Sequence, residues 1–140
     1  MRLIDLEPRF MRQYEEQGTW VVVNRQPLPS ERMEDVPCHQ VTGMMEKARV
    51  VQTLDEANAI LFCCPKCFVD KGNTVIGVHK VCITFANRGV PDHLGTHNKA
   101  GEPVRWSVSG TDFTNLTLQP SIACEDGCMW HGFVTNGDAT

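Results

Sequence analysis

Several common signals are missing from this chain, and each absence removes a class of function. Lys and Arg are scattered with no run of them, and the formal charge is -4. Phosphate backbones select for basic excess, so nucleic acid is not expected as the main partner. No window approaches the ~18 apolar residues of a membrane span. The opening Met1-Arg2-Leu3-Ile4-Asp5-Leu6-Glu7 carries acid where a signal peptide would be apolar. A cytoplasmic protein without membrane association is the expectation. Neither G-x-x-x-x-G-K-[ST] nor G-x-G-x-x-G occurs, so no nucleotide cofactor is indicated. Ser107, Ser109 and Ser121 lie outside any G-x-S-x-G nucleophile elbow. There is no internal repeat and no low-complexity stretch. At 140 residues the chain is long enough for one core and too short for two. It reads as one domain over 1–140, with a mixed N-terminal region (1–60) and a β-rich metal-binding core (61–140).

Cysteine is plentiful. Seven occur, an odd number, and in a reducing compartment they read as metal ligands and buried thiols rather than a disulfide framework. Cys64-Pro65-Lys66-Cys67 is a C-x2-C knuckle, and Cys128-Met129-Trp130-His131 is a C-x2-H knuckle 61 positions further on. Two residues between ligands let a tight turn aim both at one point, and proline stiffens that turn. Cys64, Cys67, Cys128 and His131 make the ligand set of a closed tetrahedral zinc site, or of a [2Fe–2S] cluster. Cys63 competes with Cys64 through a C-x3-C spacing, and Cys124 forms another with Cys128. Cys38 reads as incidental and Cys82 as core. Trp130, between two candidate ligands, reads as a shield against water.

The remaining pattern predicts a short helix over 1–18, with Phe10, Met11 and Tyr14 on one face and Gly18 as its stop. Trp20 to Val23 reads as a buried strand, and 24–43 as a proline-bearing surface loop. Thr53 and Glu56 form a capping box for a short helix ahead of the strand Ile60-Leu61-Phe62. Strands are expected within 75–85, at 104–108, at 116–118 and at 133–134, the last followed by an Asn136-Gly137 turn. His79 falls inside one of these and reads as a strand residue, not a ligand. The loop from Asn87 to Gly101 holds Asp92, His93 and His97, which could form an open catalytic metal site, although solvated loop histidines are the default. The fold class expected is mainly β (α+β): a small zinc-ribbon or Rieske-like domain with one or two short N-terminal helices.

Two resemblances add to this. Cys128-Met129-Trp130-His131-Gly132-Phe133 through Asp138 resembles the second cluster loop of Rieske proteins, but C-P-K-C stands where their first loop has C-x-H. Leu6-Glu7-Pro8-Arg9-Phe10, Phe62-Cys63-Cys64-Pro65-Lys66-Cys67-Phe68, Trp106, and Leu116-Thr117-Leu118-Gln119-Pro120-Ser121-Ile122 ahead of the C-x-x-H resemble domain-of-unknown-function family 6527. That resemblance implies a small metal-binding protein with phage or prophage association and brings no activity. The expectation is a structural-zinc protein that acts by binding a protein partner, with a homodimer left open. A Rieske-like electron carrier and a metal-dependent hydrolase built on the 92–97 loop are the alternatives.

Overall fold

The computed structural model describes residues 1–125 and 127–140. The chain is mainly β, with two antiparallel sheets and few short helices. In order, the strands are β1 (Arg9–Val23), β2 (Cys38–Val51), β3 (Ala59–Cys63), β4 (Lys80–Thr84), β5 (Ser107–Ser109), β6 (Thr117–Ala123), β7 (His131–Thr135) and β8 (Asp138–Ala139). One α-helix, α1 (Pro65–Asp70), follows β3 directly. The sheets are ordered β2-β1-β3-β4 and β5-β6-β7-β8. Among the described residues no helix is long and apolar enough to cross a membrane.

The chain divides into two compact units, Met1–Tyr14 with Ala48–Thr140, and Glu15–Lys47. The first is built on Phe62, Phe85, Leu3, Leu6, Ile60, Ile83, Leu116, Leu118 and Val134, all essentially removed from water. Burial of such side chains contributes about 1.5–3 kcal/mol each, which makes this the stabilising core. Phe10 stacks on Phe113 with centroids 4.2 Å apart, and Trp130 meets Phe62 edge-on at 6.2 Å. The second unit comprises the later part of β1, the earlier part of β2 and the segment between them. It is held by Lys47 on Glu16 (2.7 Å), Thr19 on Thr42 (3.1 Å) and a two-pronged Arg25–Glu31 pair. Trp20, Val21, Met44 and Met45 are exposed in it.

The helix expected over 1–18 does not form. A 3-10 turn covers Leu3–Leu6, and the chain then runs extended through β1. Phe10, Met11 and Tyr14 fit one helical face, but backbone pairing of Arg9, Phe10 and Met11 with Leu61, Ile60 and Ala59 wins over that local pattern. Half of the capping box at Thr53 is made: Thr53 Oγ1 accepts the Glu56 N–H at 3.4 Å, while Glu56 Oε1 takes the Thr53 hydroxyl at 2.8 Å in place of the Thr53 backbone N–H. It closes a turn only, because the chain enters β3 at Ala59. The proline loop ends sooner than expected, at Cys38, where β2 starts.

Gly132 is fixed by close approach. A Cβ there would collide with the carbonyl oxygen of Thr140 and with the ring of Trp130. Gly132→Ala is expected to destabilise the protein by about 2–3 kcal/mol through overpacking, read as a lower midpoint in urea with an unchanged slope.

Candidate functional site

The C-P-K-C knuckle works by starting a helix. Cys64 is the N-cap of α1, Pro65 fills its first turn where no backbone N–H is needed, and Cys67 follows one turn on. Cys64 is buried and Cys67 is partly exposed. His79 arrives from the residue ahead of β4, where its carbonyl accepts the Cys64 N–H at 3.0 Å. Cys128 comes from the β6–β7 connection, and Lys66 Nζ donates to its carbonyl at 2.9 Å. One ligand atom from each of Cys64, Cys67, His79 and Cys128 lies within 4.8 Å of every other.

The separations decide what this cluster is. Cys64 Sγ and Cys128 Sγ are 3.3 Å apart, Cys67 Sγ and His79 Nδ1 3.2 Å, and Cys128 Sγ and His79 Nδ1 3.8 Å. A disulfide needs about 2.05 Å. These distances suit the edges of a tetrahedron around a shared centre about 2.0–2.3 Å from each donor. Burial pushes the Cys64 thiol up to about 12, with the neighbouring Cys128 adding to the effect and the Cys67 and Lys66 amides opposing it. Burial opposes ionisation of Cys128 too. Hydrogen bonds from Cys64, the Trp130 amide and Cys67, together with the Lys66 charge, nonetheless hold it below its ordinary value. Three sulfurs so close therefore cannot all ionise without a cation among them. The cluster is one that could bind a metal ion.

Three of the four residues expected from the sequence, Cys64, Cys67 and Cys128, are brought together, and the fourth position is His79. His79 sits twelve positions past Cys67 with no second ligand beside it, so no spacing pattern marks it. Cys63 is buried and accepts from Lys80 Nζ at 3.1 Å, Cys82 accepts from Gln13 Nε2 at 3.6 Å, and Cys124 is half-buried outside the cluster. His131 lies elsewhere, with its Nε2 3.1 Å from Ser121 Oγ.

That contact is set by strand register. Ala123 is opposite His131 across β6 and β7. Side chains alternate along a strand, so Ser121, two residues before Ala123, rises on the same face as His131. Just upstream the ladder slips: four steps along β6, from Leu118 to Ile122, answer two along β7, from Val134 to Gly132. Such a bulge re-aims side chains, and here it turns Ser121 towards the imidazole. Trp106 Nε1 donates to the Ser121 carbonyl at 3.2 Å and fixes the backbone there. His131 is exposed while its neighbours Trp130 and Gly132 are buried, which anchors the ring at its base. Ser121 also lines a cleft of about 530 Å³, shared with Trp106, Lys80, Cys82, Ala123 and Glu125. A hydroxyl within hydrogen-bond reach of an imidazole at the lip of a cleft is an arrangement in which a base can activate a nucleophile.

The 92–97 loop offers no comparable chemistry. His97 is committed to its own loop, with Nδ1 2.9 Å from the Gly95 carbonyl and Nε2 2.6 Å from the Asp92 carbonyl. Asp92, His93 and His97 are not gathered into a ligand cluster among the described residues.

Residues 33–140 match the family model described as bacterial ubiquitination-like system serine protease (BubE). No curated protein and no solved structure gives a match. This match corrects the expectations drawn from family 6527 and from the Rieske loop. It replaces the phage-associated structural-zinc binding protein, and supports neither the iron–sulfur carrier nor the 92–97 metallohydrolase. The C-x-x-H-G stretch supplies one thiol of the candidate metal cluster, Cys128, and one serine-bound imidazole, His131. With most of its length matched, the chain belongs to the BubE family.

Proposed function

We propose that this protein is a hydrolase acting on polypeptide acyl bonds within a ubiquitination-like system, with Ser121 as nucleophile and His131 as general base. The 3.1 Å separation of Ser121 Oγ and His131 Nε2 is the observation that carries this reading. It falls in the range of about 2.6–3.2 Å over which a base can take the proton. As Oγ attacks the carbonyl carbon, His131 Nε2 accepts the hydroxyl proton and a C–O bond forms. The tetrahedral adduct collapses, the C–N bond breaks, and the amine leaves with the proton from the imidazolium. Water then attacks the acyl–serine ester, giving its proton to His131. Ser121 recovers a proton as the acid departs. Among the described residues no carboxylate bonds His131 Nδ1. The ring is exposed, so water solvates the imidazolium that forms.

Zinc is the metal that best suits the Cys64–Cys67–His79–Cys128 donor set. Three thiolates and one imidazole leave no open position for substrate, as in structural sites. Bound there, it would supply a cross-link between α1, the approach to β4 and the β6–β7 connection. None of the acyl-transfer chemistry passes through it.

His131→Gln tests the base directly. Gln can still accept from the Ser121 hydroxyl but does not become a cation, so the serine-dependent turnover of p-nitrophenyl acetate at pH 8 should fall by about 10²–10⁴-fold. Unchanged turnover in that variant would remove His131 from the mechanism.

A further inference from the structure

Two strand edges border the cleft beside Ser121, and hydrogen-bond parity shows which peptide groups each one turns towards it. On β4, the Phe85 N–H bonds the Asn58 carbonyl and the Cys64 N–H bonds the His79 carbonyl. Antiparallel pairs alternate between bonded and non-bonded, so Lys80, Cys82 and Thr84 point their peptide groups away from β3. Those of Thr84 are used: Thr96 Oγ1 takes its N–H at 3.2 Å, and the Trp106 N–H meets its carbonyl at 3.0 Å. Thr96 Oγ1 also donates to the Cys82 carbonyl at 2.8 Å. The Cys82 N–H and both peptide groups of Lys80 have no partner among the described residues.

The second edge belongs to β6. The Cys124 N–H bonds the Trp130 carbonyl at 2.7 Å, so the pair Ala123–His131 is a non-bonded one and Ala123 turns its peptide groups away from β7. On that side β5 would continue the ladder, but its pairing stops at Ser107 opposite Gln119. Among the described residues the N–H and C=O of Ala123 have no partner, two residues from the nucleophile. Trp106 spans the gap at one end, its backbone on Thr84 and its indole on the Ser121 carbonyl.

We infer that substrate enters this cleft as an extended polypeptide strand. It pairs with Ala123 on one side and with the Lys80–Cys82 edge on the other, delivering its scissile carbonyl to Ser121. Building on the serine-hydrolase reading above, this specifies the substrate class: an unfolded tail or linker, since a folded surface cannot present peptide groups on both sides. Added-strand recognition places affinity in the main chain and tolerates many side-chain sequences.

The test uses the full chain and a pool of peptides made by tryptic digestion of a bacterial lysate, with cleavage read by mass spectrometry and p-nitrophenyl acetate as a small ester. The best-cleaved peptide is resynthesised with single N-methylated amides along its length. Pairing on both sides is expected to strike two positions of opposite parity besides the scissile amide, one whose N–H faces the Ala123 carbonyl and one whose N–H faces the Lys80 carbonyl: each drops kcat/KM about tenfold, with changes under about threefold elsewhere. Ala123→Pro removes the open N–H while leaving the β7 ladder intact. It should lower peptide kcat/KM by about tenfold, with the loss carried mainly by a higher KM. A flat N-methyl profile or losses confined to one parity would overturn the inference, as would a Ser121-dependent esterase that cleaves nothing in the pool. Ester turnover that survives Ser121→Ala would instead overturn the serine reading.

Discussion

Ser121→Ala is expected to abolish hydrolysis of peptide and ester alike, with kcat falling about a thousandfold or more. The loss is large because the oxygen that forms the acyl intermediate is gone, and no water is held in its place with the same geometry. Stability should barely move. Ser121 is half-exposed, and its bond to His131 lies at the surface. A net contribution of about 0.5–1.5 kcal/mol is the most such a bond supplies, so the fold survives its removal. The double variant Ser121→Ala/His131→Gln should be no worse than Ser121→Ala alone, because nucleophile and base act as one unit. Additive losses in that double variant would argue for two independent roles. Hydrolysis rates on purified proteins with matched melting curves provide the check.

Cys67→Ser should have the largest effect on stability. Metal binding at such a cluster is linked to folding, because the unfolded chain does not gather the four donors. Serine offers a weaker, harder ligand and leaves Cys64, Cys128 and His79 crowded around an incomplete site. The expected outcome is about one zinc per chain in the parent protein, little in the variant, and a melting temperature lower by on the order of 10–20 °C. Activity should fall with the metal although no reacting atom has been altered. Cys128 and His131 are three residues apart, and the connection that carries Cys128 feeds directly into β7. A variant that loses metal and keeps the parent melting temperature would contradict a structural site. His79→Ala is a useful companion, since it separates the histidine gathered with the three thiols from the C-x-x-H reading of the sequence.

What could be read from the sequence follows from how local each signal is. The C-P-K-C turn lies within four consecutive residues, so it was visible, although the helix it starts was not. β-branched and aromatic runs mark β4 within 75–85 and only parts of β5 and β6, at 107–108 and 117–118, because alternation survives without tertiary context but strand ends do not. Phe10, Met11 and Tyr14 misled because three apolar residues fit a helical face as well as a strand until β3 is there to pair with. The serine–histidine pair was out of reach for a different reason. Ser121 carries no elbow motif, and the spacing of His131 from Cys128 points to the metal instead. Only the register that sets Ala123 opposite His131, together with the bulge before Ile122, brings hydroxyl and imidazole to one face. His79 needed the same kind of information, since nothing but the fold relates it to Cys67.

The most direct measurement is to label the zinc-loaded protein with diisopropyl fluorophosphate and map the adduct by tryptic mass spectrometry, beside the His131→Gln variant. This fluorophosphate reacts with a serine whose hydroxyl has an adjacent base, and leaves surface serines alone. A single adduct on Ser121 that is lost or greatly slowed in His131→Gln is the expected result. Labelling of another residue, or none at all in protein with a full complement of metal and a cooperative melt, would contradict Ser121 as the nucleophile.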